Sequence, residues 1–89
     1  MCTYTTVQTP MTGSGKGPGG SWFRLTDAAV YFDHPAHALQ EHTLNIDLGA
    51  PAEGPAARIA LELSAQSARD LVTAINAALA SVPPELLAG

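Results

Sequence analysis

Eighty-nine residues give room for one domain, with a core too small to be generous. Four basic residues against eight acidic ones leave a net charge of −4, and Lys16, Arg24, Arg58 and Arg69 are scattered, so nothing tracks a phosphate backbone and nucleic acid is excluded as a partner. No apolar run approaches the ~20 residues of a membrane span, and the N-terminus lacks the charged and apolar regions of a secretory signal, so a cytoplasmic protein without membrane contact is expected.

The first strand is expected over residues 2–9, where Thr, Tyr and Val suit a half-buried pleated surface. Residues 13–20, GSGKGPGG, read as a flexible loop. A second strand is expected from Trp22 to His34, with a bulge or bend around Thr26-Asp27-Ala28. Along it Val30, Phe32 and His34 share one face and Tyr31 and Asp33 the other. Residues 35–41 connect to a third strand from His42 to Leu48, which alternates His42, Leu44, Ile46, Leu48 against Thr43, Asn45, Asp47. GAPAEGP at 49–55 is a turn. The fourth strand, Ala57 to Leu63, points Ile59, Leu61 and Leu63 inward and Arg58 and Glu62 outward.

Ser64 is a candidate N-cap, since its hydroxyl can accept from an unpaired amide of the first helical turn. The helix then runs to about Ser81, where Pro83-Pro84 stop it. Leu71, Val72, Ile75, Leu79 and Val82 form its apolar stripe. Short connections favour sequential neighbours. The predicted fold is therefore α+β: a four-stranded antiparallel β-meander with one C-terminal helix on one face. Residues 1–82 form the domain and 83–89 a tail. With Cys2 the only cysteine, no intrachain disulfide can form. Metal or self-association is left to reinforce a thin core, and a homodimer is expected.

One constellation could carry chemistry. In the meander His34 and His42 flank a single connection and lie opposite each other on one face, with Cβ atoms about 4.5–5.5 Å apart. The glycine loop returns the first strand along the second and brings Cys2 to the same end. His37, in the connection, could close over it. Cys and His are preferred ligands of zinc, and also of copper and iron. All three histidines lie within residues 25–57, a stretch without Lys or Arg that holds Asp27, Asp33, Glu41, Asp47 and Glu53. Each feature also has a plain structural explanation: an edge histidine, a solvated acidic face, a small buried thiol. The glycine-rich segment is no phosphate loop, because a Walker pattern around Gly15-Lys16 would need Gly where Pro10 stands and Ser or Thr at Gly17. Ser21, His34 and Asp33 do not make a catalytic set, since neighbouring strand residues face opposite ways.

The opening Met1-Cys2-Thr3-Tyr4-Thr5-Thr6, with Thr26-Asp27-Ala28 and Tyr31-Phe32-Asp33-His34-Pro35, resembles a small uncharacterised bacterial family, a domain of unknown function, over most of the chain. The resemblance implies no activity and no cofactor.

Three functions follow as expectations. The first is a small metal-binding protein with Cys2, His34, His37 and His42 around one transition metal ion, zinc first and copper or iron next, and with an open position that would permit catalysis. The second is a non-catalytic homo-oligomeric binding or accessory module, whose face takes a partner or a small-molecule ligand. The third is a metal-free lyase or isomerase using His and Asp as acid and base between sheet and helix.

Overall fold

A computed structural model of the chain describes residues 4–89. Four strands, β1 (Val7–Lys16), β2 (Trp22–Asp33), β3 (Thr43–Gly49) and β4 (Arg58–Leu63), form one antiparallel sheet in the order β1-β2-β3-β4. Helix α1 (Ala65–Ala80) follows β4 directly and packs against β3 and β4. Short 3-10 turns occupy Pro51–Glu53 and Pro84–Leu86. The α+β meander with a C-terminal helix is thus as the alternation patterns predict.

Alternation fixes what each face carries. Three rows cross the sheet on the helix side: Ala28–Leu48–Ile59, Val30–Ile46–Leu61 and Phe32–Leu44–Leu63. The rows on the opposite side are Asp27–Gly49–Arg58, Ala29–Asp47–Ala60 and Tyr31–Asn45–Glu62. A one-residue slip would exchange the two sets, so the apolar pattern itself specifies the register.

The main departure concerns β1. It runs through Gly13–Lys16, residues the glycine content marks as loop, and the reversal is confined to Gly17–Ser21, closed by Gly17 N–H to Ser21 O at 2.9 Å. Gly20 takes φ 83°, which only glycine adopts without strain. The irregularity expected in β2 lies instead on its partner, where the β1 register shifts between Pro10 and Gly13 and Met11-Thr12 oppose Thr26. An edge strand tolerates both Pro10 and the bulge. Beyond it the hairpin curls until Gly15, opposite Phe23, lies so near Ile59 of β4 that a Cβ at Gly15 would stand 3.0 Å from Ile59 Cδ1.

Burial falls short of the sequence pattern. Among the described residues only Leu25, Ala28 and Ala50 are buried apolar residues, joined by the polar Thr43 and Asn45. Leu44, Ile46, Leu48, Ile59, Leu61 and Leu63 are half-buried. Helix α1 begins well, with Ser64 Oγ accepting from Ser67 N–H, and Ser81 caps its end. Yet it contains no buried residue, and Val72, Ile75 and Leu79 are 59%, 50% and 51% exposed. Ile75, in the middle of the expected apolar stripe, is not core within one chain. Among the described residues no helix is long and apolar enough to cross a membrane.

Candidate functional site

The end of the sheet where β2 passes into β3 brings His34 and His42 together, as their positions on either side of one connection require. Their ring centroids are 4.4 Å apart, and His42 also stacks on Phe32 at 5.9 Å with 9° between planes. Tyr4 approaches Phe32 from β1's side at 6.5 Å. His34 Nδ1 lies 3.1 Å from the Glu41 carbonyl oxygen. A carbonyl only accepts, so Nδ1 carries the proton and donates.

The other expected ligands do not complete a metal centre. His37 is held through its backbone N–H, which donates to Glu62 Oε1 at 3.0 Å. Cys2 lies outside the described residues. Among the described residues no three His, Cys, Asp or Glu side chains are grouped to hold a metal ion. Two rings fall short of the three or four protein ligands of zinc sites. The metal-binding function expected from Cys2, His34, His37 and His42 is therefore corrected, and with it the enzyme built on an open metal position.

What fixes the connection is a carboxylate. Glu62 shares a row with Tyr31 and Asn45, and residues 36–38 fold back to it. Ala36 N–H donates to Oε2 at 2.6 Å, while His37 and Ala38 N–H donate to Oε1 at 3.0 and 2.8 Å. The amides of Ala36 and Ala38 hold the Glu62 carboxyl below the usual carboxylate range, with smaller help from His37. Nearby, buried Thr43 donates its hydroxyl to Asn45 Oδ1 at 2.6 Å.

Two concave features lie on opposite faces. On the polar face a hollow of about 520 Å³ is lined by Gln8, Asp27, Ala29, Asp47 and Arg58 on the sheet and by Pro51, Gly54 and Pro55 beside it. Asp47 organises its wall, accepting from Tyr31 Oη at 2.9 Å and pairing with Arg58 Nη2 at 2.6 Å. Burial raises the Tyr31 hydroxyl above its ordinary value, and the Asp47 carboxylate adds to the effect. Asp27 accepts from Thr26 Oγ1 at 2.6 Å. On the helix side a groove of about 560 Å³ runs between Val30, Phe32, Leu44 and Ile46 of the sheet and Ala68, Leu71, Val72 and Ile75 of α1. Arg69 is the one charged residue along it. The acid–base pair expected between sheet and helix is not there: the groove lining contains neither His nor Asp.

The sequence profile of a family of unknown function, DUF6295, matches residues 1–88. The chain belongs to this family. The resemblance carried by the Met-Cys-Thr-Tyr-Thr-Thr opening and the Tyr31–Pro35 segment is thereby borne out, and it brings no assigned activity. No curated protein and no solved structure matches the chain.

A site between sheet and helix was expected, though not its apolar lining, and the polar hollow was not read from the sequence. Asp47 and Arg58 were each placed on the outward face, but their pairing needs the register Gly49↔Arg58, which sets them diagonally across β3 and β4. The absence of charge over residues 71–84 was the available signal for the groove.

Proposed function

We propose that this chain works as a non-catalytic binding module whose basic unit is a homodimer. The observation that carries the reading is the surface left in water. The chain exposes 6565 Å², whereas a folded monomer of 9.2 kDa exposes about 4,900 Å² on the general scaling. Its radius of gyration is 14.6 Å against about 12 Å for a compact domain of 89 residues. The tail after Val82 accounts for part of the surplus. Half of the surplus, buried on each of two chains, amounts to about 1,600 Å² in total, the size of a stable interface. Sedimentation equilibrium at micromolar concentration is expected to return twice the 9.2 kDa chain mass, unchanged by chelators. A 9.2 kDa species across that range overturns the reading.

A second reading rests on the polar hollow. Asp27, Gly49 and Arg58 stand in one row, so a carboxylate and a guanidinium flank a position without a side chain. Two strand spacings separate their backbones, roughly 9.6 Å. That arrangement suits a small zwitterion, its ammonium on Asp27 and its carboxylate on the donors Arg58 does not spend on Asp47. NMR titration with free α-amino acids should shift the amides of Gly49 and Ala50, and Arg58→Ala should weaken binding about tenfold. No shift at millimolar concentrations would dispose of it.

A further inference from the structure

We propose that the groove between α1 and the sheet receives helix α1 of a second copy of this chain, the two copies exchanging helices about a two-fold axis. This rests on the homodimer reading and assigns it a surface. Three observations converge on that occupant. The groove is apolar on both sides, with Val30, Phe32, Leu44 and Ile46 as floor and Leu71, Val72 and Ile75 as wall. The chain itself offers one element of matching character: from Leu71 to Pro84 no residue is charged, and every residue from Leu71 to Ala80 is exposed. A helix with no charge over nearly its last three turns is not built for water on all sides. Its side chains are also arranged for a partner. Ala68, Leu71, Val72, Ile75 and Leu79 fall within one 100° sector, and Ala74 and Ala78 beside them let another backbone come close.

The areas agree. The half of each copy's surplus that is not the tail's comes to about 1,600 Å² over two copies, the size of a standard stable interface. An isologous contact uses the same patch on both copies, so groove and helix are satisfied at once and the assembly closes at two. The sheet and helix lengths also match, since α1 spans 16 residues and roughly 24 Å, while β3 spans 7 residues and roughly 24 Å.

The test uses the full chain in a Cys2→Ser background, so that introduced thiols are the only ones. One sample carries Ile75→Cys and a second, separately tagged, carries Val30→Cys. After mixing, exchange and mild oxidation, a disulfide-linked heterodimer carrying both tags is expected. Ile75→Asp should shift the dimer toward monomer by at least about tenfold in dissociation constant. Ala77→Asp, on the opposite side of the helix, should leave the equilibrium unchanged, and circular dichroism reports whether each variant folds. A dimer that survives Ile75→Asp and forms no mixed disulfide overturns this assignment while leaving the homodimer standing. A wild-type monomer overturns both, and the groove then belongs to a different protein.

Discussion

Glu62 shows how one side chain can set the shape of a segment that has no regular structure of its own. Its carboxylate accepts three backbone amides from residues 36–38, groups that would otherwise be left to water in a loop containing Pro35. The sign of its titration follows from that arrangement. The folded carboxyl loses its proton more readily than the unfolded one, so the latch contributes fully above the ordinary glutamate value of 4.5. Its contribution is lost as pH falls through the lower folded value. Glu62→Gln keeps one acceptor oxygen and removes the charge. Amide exchange at Ala36, His37 and Ala38 is expected to quicken in the variant at neutral pH, and in the wild type only on acidification below that range. Unchanged exchange in Glu62→Gln would show that the loop is held by something else. Arg58 and Asp47 form the contrasting case. Their side chains are 54% and 26% exposed, and an exposed pair of this kind is worth about 1 kcal/mol or less. Arg58→Ala should accordingly lower the unfolding free energy by no more than that, with most of the loss gone in high salt.

At the scale of elements, caps and close approaches decide where strands and helix end. Ser64 supplies the acceptor for Ser67 N–H at 3.1 Å, and Ser64→Ala should cost about 1 kcal/mol in chemical denaturation. Gly49 closes β3 against β4. A Cβ there would stand 3.0 Å from the Ala57 carbonyl oxygen, which itself accepts from Ala50 N–H at 3.0 Å. Gly49→Ala must push that carbonyl aside, and a loss of about 1 kcal/mol follows from the weakened bond. An unaltered thermal midpoint would mean that the turn at residues 50–57 yields freely. Much at this scale was legible. The alternation of Leu44, Ile46 and Leu48 and of Ile59, Leu61 and Leu63 gave β3 and β4 within a residue or two, and Ser64 with Pro83-Pro84 bounded the helix. β1 was misplaced because glycine content was read as loop. On the curled edge hairpin Gly15 serves close approach instead, against Phe23 and Ile59.

For the whole molecule, the meander made the meeting of His34 and His42 predictable, because connection length alone places them opposite each other. A metal centre did not follow from it: convergence of further ligands depends on loop path, and the loop path is governed by Glu62, a residue the pattern marks only as outward. The helix carries the same lesson in another form. Periodicity identified its apolar stripe correctly but cannot say whose surface covers it, and within one chain the stripe stays half in water. Ile75→Ala distinguishes the cases. A buried isoleucine truncated to alanine costs about 2–5 kcal/mol, so at high protein concentration, where a dimer persists, the thermal midpoint should fall clearly. At concentrations dilute enough for dissociation the same substitution should matter little. Equal effects at both concentrations would argue that the residue is covered by its own chain.

The bulge and proline of β1 have a bearing on the kind of assembly open to such a molecule. Pro10 offers no N–H, and Met11-Thr12 interrupt the ladder just beyond it, so the outer margin of β1 is a poor template for another strand. β4, at the other margin, is only six residues long. Growth by strand addition would be open-ended, each new copy presenting a fresh edge to the next. Discouraging it at the margins while leaving apolar surface on one face turns association toward a contact that is used up when two copies meet. In the homodimer proposed above the count would stop at two, and a chain with much uncovered surface would remain a discrete particle instead of a fibre.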